Sequence, residues 1–334
     1  MSTTAALRQR TVAAPGAALS LIEAGEAGRP TIVLVHGYPD GKELWVPVME
    51  RLSERFHVVA YDVRGAGKST APRGVRAYGF EQLAGDLAAV LDTVSPQRPV
   101  HLVGHDWGAI QGWELSCAPS LAPRIASFTA VAGPALGHVR AALRRQLRQG
   151  RLIHAASQLR HSWYIVGLCT PGVPTLVWRG VLGRGGWEAY LRQVERIPTE
   201  GTTPAATLTR GGIRGANLYR RNILLGFAGN RPARPQMPVQ LIVPSGDRFV
   251  PPGYYEAVED YVPTLRRRIL AGSHWAPRAQ PELVSRWIAE FAGEVDGQAA
   301  AAVPEGGIVP HARPWVRGGG LAQVRGRLAL VTGA

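Results

Sequence analysis

The chain is poor in cysteine and in lysine. Its two cysteines, Cys117 and Cys169, stand far apart and form no CxxC pair, which excludes a disulfide framework and a thiolate metal cluster. Both read as apolar fillers in a reducing compartment. No run reaches the roughly 18 charge-free apolar residues of a membrane span. The opening stretch, MSTTAALRQRTVAAPGAAL, has no apolar core behind a basic start. A soluble, cytoplasmic protein is therefore expected.

Lys42 and Lys68 are the only lysines, so arginine supplies 36 of the 38 basic residues behind a net charge of +14. Part of this reflects an Ala/Arg/Gly-heavy composition of the kind a GC-rich genome produces, and the distribution says more than the total. Between Arg140 and Arg234, sixteen arginines face only Glu188, Glu195 and Glu200. The bland reading of such a segment is a solvated helical surface. The functional one is a face that meets an anionic membrane or an acidic partner. No nucleic-acid partner is expected.

With 334 residues, 46% of them hydrophobic, the chain can bury one large core or two smaller ones. The β-branched run from Thr31 to Val35 ends at His36-Gly37 and reads as a strand buried on both faces. The runs from His57 to Tyr61 and from Val100 to Val103 repeat the pattern, and between them Leu83, Leu87, Val90 and Leu91 recur at helical spacing. Alternating strands and helices imply crossover units and a mostly parallel α/β sheet. A fourth strand, from Ile125 to Ala132, precedes a basic stretch of helical period broken by Pro171, Pro174, Pro198 and Pro204. Strands resume from Val239 to Val243 and from Arg268 to Leu270. The economical division is a core over 1–135 and 232–296, a helical cap inserted over 136–231, and a Gly/Ala/Pro-rich linker over 297–325. Residues 326–334 look like the first strand and glycine turn of a dinucleotide-binding unit, with a frayed apolar tail as the plain alternative.

The strand ending at Val103 runs into Gly104-His105-Asp106-Trp107-Gly108 and then a helix, a Gly-x-nucleophile-x-Gly elbow with aspartate in the nucleophile position. The glycines make room for a strained backbone, and the N-terminus of the following helix favours negative charge. A serine there would attack carbonyl carbon. A carboxylate is better suited to displacement at a saturated carbon, leaving an ester that water must cleave in a second step. The second step needs a base, and His274 in Gly272-Ser273-His274-Trp275 follows the last strand. Asp247, just after the preceding strand, is its orienting acid, so nucleophile, acid and histidine come in the order the elbow motif expects. The amides of Tyr38, in His36-Gly37-Tyr38-Pro39, and of Trp107 are the expected oxyanion donors. His36, Pro39, His105, Trp163 and Trp275 are expected around the pocket. Gly65-Ala-Gly67-Lys68-Ser69 lacks the four-residue gap of a phosphate loop. No cofactor and no metal are expected.

From about Thr31 to Phe291 these motifs resemble the epoxide hydrolases of the α/β-hydrolase superfamily. The His-Gly-x-Pro loop, Asp62-Val-Arg-Gly-Ala-Gly-Lys-Ser69 and Gly-His-Asp-Trp-Gly are shared with the related haloalkane dehalogenases and do not choose the leaving group. The resemblance places that choice in the cap, where family members hold the epoxide oxygen with two tyrosines, one shortly before Pro-Gly and one in a Tyr-Arg-x-Asn-like stretch. Tyr164, ahead of Pro171-Gly172, and Tyr219, in Tyr219-Arg220-Arg221-Asn222, match both positions. Ring opening develops an alkoxide, which two phenols opposite the carboxylate can stabilise and protonate, whereas a departing halide needs no proton. A lone helical tyrosine is usually a packing residue. Two in register with an aspartate elbow reverse that reading.

The expectation is a cofactor-independent epoxide hydrolase that converts a small apolar epoxide to a vicinal diol. One alternative is a haloalkane dehalogenase, with Trp163, Trp178 or Trp187 joining Trp107 as halide donors. Another is a ligand-binding domain whose chemistry has lapsed. The terminal Leu-Ala-Leu-Val-Thr-Gly-Ala also resembles actinobacterial fusions of such a hydrolase with a short-chain dehydrogenase, in which the substrate would be a lipophilic epoxide and the basic cap would meet an anionic membrane surface. A homodimer is left open.

Overall fold

The computed structural model describes residues 7–152, 162–199, 205–224, 229 and 231–301. Eight strands form one sheet: β1 (Arg8–Ala14), β2 (Ala17–Ala24), β3 (Thr31–Val35), β4 (His57–Tyr61), β5 (Val100–His105), β6 (Ile125–Val131), β7 (Val239–Pro244) and β8 (Leu265–Leu270). Their order across the sheet is β1-β2-β4-β3-β5-β6-β7-β8. From β4 to β8 every pairing is parallel, and β2 joins β1 and β4 antiparallel.

The strand period of two divides the core between the two faces of the sheet. Ile32 and Leu34 pack with Val58, Ala60 and Val103 beneath α1 (Val46–Leu52) and α10 (Pro281–Ala301), while Val33 and Val35 pack with Val59 and Leu102 beneath α2 (Phe80–Val94) and α3 (Trp107–Leu115). Helix α2 buries Leu83, Leu87, Val90 and Leu91, the face their spacing predicts. Asp86 is buried on the same helix because Arg64 meets it with two hydrogen bonds of 2.6 Å.

Two stretches of sheet differ from the sequence reading. The β1–β2 hairpin before Thr31 carries no strand signature in the sequence, because edge strand β1 exposes Arg8, Gln9, Arg10 and Thr11 in succession and buries only Val12, so it shows no alternation. Strand β8 begins at Leu265 rather than Arg268: Arg266, Arg267 and Arg268 mask it in the sequence, yet each has a carboxylate partner, Glu294, Glu259 and Glu290.

Between β6 and β7 lie α4 (Leu136–Arg148), α5 (Trp163–Cys169), α6 (Val173–Gly180), α7 (Gly186–Gln193) and α8 (Ala205–Tyr219), the last continuing into a π-helical turn over Arg220–Leu224. No strand occurs among the described residues of this insertion. Pro171-Gly172 separates α5 from α6, whereas Pro174 opens α6 in its first turn, where a missing N–H costs nothing. Helix α8 packs on α5 and α6. A short helix, α9 (Ala276–Ala279), leads from the loop after β8 into α10, which runs on to Ala301, past the expected start of the linker. Residues 302–334, with the rest of that linker and the glycine turn, lie outside the described residues. Among the described residues no single helix is long and apolar enough to cross a membrane.

Candidate active site

The site is built where β5 hands over to α3. Asp106 sits between them at φ 50°, ψ −117°, a conformation that residues with a Cβ rarely adopt. The surroundings hold it there: its N–H donates to Val131 O at 3.0 Å and its carbonyl accepts from the Ile110 N–H at 2.8 Å. The flanking glycines are required sterically. A Cβ on Gly108 would lie 2.0 Å from Val35 O, and one on Gly104 would lie 2.3 Å from Gly108 O.

The Asp106 carboxylate is buried and divides its two oxygens. Oδ2 accepts the Tyr38 amide N–H at 2.8 Å, and Oδ1 lies 3.6 Å from His274 Nε2. His274 Nδ1 donates to Asp247 Oδ2 at 2.7 Å. The other Asp247 oxygen accepts the amides of Phe249 and Val250, each at 2.8 Å, which fixes the carboxylate against rotation. Burial disfavours an imidazolium at His274, but Asp247 and Asp106 together outweigh it and push the pKa up to about 10. For Asp106 burial pulls upward, and His274, His105 and the Tyr38 N–H overcome it and hold the carboxyl below its usual range. The resting site is thus an ion pair, carboxylate beside imidazolium.

Two further contacts fix the histidine loop, and neither is marked in the sequence. Trp275 Nε1 donates to Asp40 Oδ2 at 2.8 Å, and His105 Nε2 donates to the His274 carbonyl at 3.0 Å. Burial, and then the charge on His274, hold the His105 pKa down at about 4, so it serves as a neutral strut.

A cavity of about 350 Å³ opens over Asp106 and His274, walled by the inserted helices. Tyr164 and Tyr219 both line it, their rings 6.3 Å apart and nearly perpendicular. Burial, reinforced by the nearby Asp106 charge, raises both phenols well above their ordinary pKa, so both remain protonated donors. Tyr38, Pro39 and Trp275 also line the cavity, as does Trp163 at its exposed rim.

His36, His105 and Trp107 do not line it. His36 ties its own loop, with Nδ1 donating to Gly37 O at 2.8 Å and Nε2 accepting the Val63 N–H at 2.9 Å. Trp107 packs edge-on against Tyr219, with its buried indole N–H directed at the Tyr219 hydroxyl. Its backbone amide opens α3 beside Asp106. Sequence reasoning missed Phe249, Tyr190 and Leu168 as cavity walls, since nothing separates them from ordinary core residues until the chain is folded. No group of three or more metal-ligating side chains occurs among the described residues.

The sheet, the strained elbow and the Asp106–His274–Asp247 chain make this an α/β-hydrolase fold, and residues 30–155 match the family model described as alpha/beta hydrolase fold. Within that fold the chain is similar to the probable oxidoreductase EphD of Mycobacterium tuberculosis, at 35% identity over 291 residues, covering 85% of this chain and 49% of that protein. The chain therefore spans about half the length of this curated relative. It is also 41% identical over 130 residues to epoxide hydrolase A of the same organism, 38% of this chain and 39% of that protein. Among solved structures, the epoxide hydrolase of Vigna radiata superposes with a TM-score of 0.69 at 24% identity, covering 86% of this chain and 98% of the other.

Proposed function

We propose that this chain is an epoxide hydrolase working through an alkyl ester on Asp106. The observation that carries the reading is the meeting, in one apolar cavity, of an ionised aspartate at the elbow, a histidine held by Asp247, and two protonated phenols. Oδ2 is engaged by Tyr38 and is the oxygen destined to become the oxyanion, which leaves Oδ1 to attack an epoxide carbon. The C–O bond opens, and the alkoxide takes a proton from Tyr164 or Tyr219. Esterification removes the charge beside His274, which then gives its proton to the phenolate and becomes the base for water. Hydroxide adds to the Asp106 ester carbonyl, with the amides of Tyr38 and Trp107 holding the oxyanion. The tetrahedral adduct collapses, the departing diol oxygen takes the proton of the regenerated Asp106 carboxyl, and the proton that His274 took from water restores its imidazolium, so the net reaction is epoxide plus water to diol.

The alternative is dehalogenation by the same nucleophile with Trp107 as a halide donor, but Trp107 lies outside the cavity lining. Also against it, the Trp178 indole is committed to the Tyr38 hydroxyl at 2.8 Å. Turnover of epoxides beside haloalkanes separates the readings. Tyr164→Phe/Tyr219→Phe should lower diol formation by at least about 100-fold; halide release that ignores the tyrosines would make the chain a dehalogenase.

The chain matches 49% of EphD, a probable oxidoreductase, which supports the reading of a hydrolase joined to an oxidoreductase unit. The inserted helices 136–231 then act as a cap that selects a lipophilic epoxide.

A further inference from the structure

Helix α5 and the helical stretch Val173–Arg184, which α6 opens, meet at 100° across Pro171-Gly172. Their outer faces carry Trp163, Val166, Leu176 and Val181 at 76, 70, 75 and 64% exposure. Trp163 and Val166 lie one turn apart on α5, Leu176 lies on α6, and Val181 follows directly after its C-terminal end. Large apolar residues scattered singly on a surface need no explanation, but a cluster on one bend does. The inner sides of the same helices, at Leu168, Val173, Pro174 and Val177, line the catalytic cavity. A single helical corner is thus apolar toward the cavity and apolar toward solvent.

We propose that this corner docks on an anionic lipid bilayer, immersing Trp163, Val166, Leu176 and Val181 at the headgroup level so that the cavity opens onto the membrane. Charge selects this occupant over the others. From Ser162 to Trp187 the only ionisable cations or carboxylates are Arg179 and Arg184, both exposed, and the wider segment from Arg140 to Arg234 sets sixteen arginines against three glutamates. A second copy on this face would set Arg179 and Arg184 against like charges with no carboxylate between Ser162 and Trp187 to meet them. The segment 302–334 has the same sign, with Arg313, Arg317, Arg325 and Arg327 against Glu305. A bilayer rich in anionic lipid complements both features, since indole and aliphatic side chains enter the interface while arginines reach the phosphates. The substrate class this implies, an amphiphile whose chain lies in the bilayer, rests on the epoxide reading above; the docking does not.

The test is co-sedimentation with vesicles of phosphatidylcholine alone and of phosphatidylcholine with phosphatidylglycerol, for the wild type and for Val166→Asp/Leu176→Asp/Val181→Asp, three positions outside the cavity lining. The wild type should bind the anionic vesicles and release in high salt. The triple variant should bind at least about tenfold more weakly, having lost three apolar insertions, while its turnover of a water-soluble epoxide stays at the wild-type level. Wild type left in the supernatant, binding that is equal on both vesicles or indifferent to salt, or a variant that binds as well as wild type overturns the docking. So does a wild-type dimer in sedimentation velocity that the triple variant dissolves, since it gives the face to a second copy. Binding is read without substrate, so a chain that docks but opens no epoxide refutes the epoxide reading and leaves the docking standing.

Discussion

Replacing Asp106 with asparagine keeps the side chain's shape and removes one negative charge, as esterification does. His274 stands between two carboxylates, with Nδ1 2.7 Å from Asp247 and Nε2 3.6 Å from Asp106. Two unit charges at 3.6 Å in an effective dielectric of about 20 interact by roughly 4 to 5 kcal/mol, or about three pH units of titration. The His274 titration should therefore fall from about 10 in the wild type to about 7 in Asp106→Asn. Imidazole nitrogen shifts followed by NMR across pH read this directly in both proteins. The physical content is a base that becomes available only after the first step: imidazolium while the carboxylate is free, neutral imidazole once it is an ester. If the variant histidine still titrates near 10, Asp247 alone sustains the charge, and esterification cannot release the base.

Acid should destabilise the fold through its buried neutral histidines. Burial holds His105 and His138 down at about 4, so between that value and the unfolded value of about 6.5 the unfolded chain binds more protons; their contribution is full above about 6.5 and declines as pH falls through about 4. Urea midpoints should drop between about pH 7 and pH 4.5, and a constant midpoint would mean that other titrations offset these two groups completely. Lys42→Met should cost about 3–5 kcal/mol in denaturant unfolding, because it strands Asp62, fully buried and 2.5 Å from the Lys42 ammonium. A loss below about 1 kcal/mol would show that the amides of Lys42 and Lys68, at 2.9 and 2.8 Å, satisfy Asp62 unaided.

The parts of the fold legible in the sequence are those encoded locally. The β-branched run of β3, the helical spacing of Leu83, Leu87, Val90 and Leu91, and the paired glycines around Asp106 each carry their own signature within a few residues. Chain order supplied Asp247 and His274, which the structure brings to 2.7 Å of each other. The tyrosines came from family resemblance, since a helical tyrosine carries no local mark of function. What stayed hidden depends on distant partners. Asp40 binds Trp275 across 235 positions, and His105 supports a loop 169 positions away. Three consecutive arginines disguised β8 because their compensating glutamates lie on other elements. Trp178 was a candidate halide donor until folding placed its N–H on the Tyr38 hydroxyl.

The central claim is that Asp106 forms a covalent ester, and its most direct test is the mass of the His274→Ala protein after incubation with an epoxide that the wild type hydrolyses. Alkylation should proceed and ester hydrolysis should fail, so the chain should gain the mass of one epoxide, located by peptide mapping on Asp106 and retained after excess substrate is removed. An unmodified chain, or an adduct on any other residue, would contradict the account.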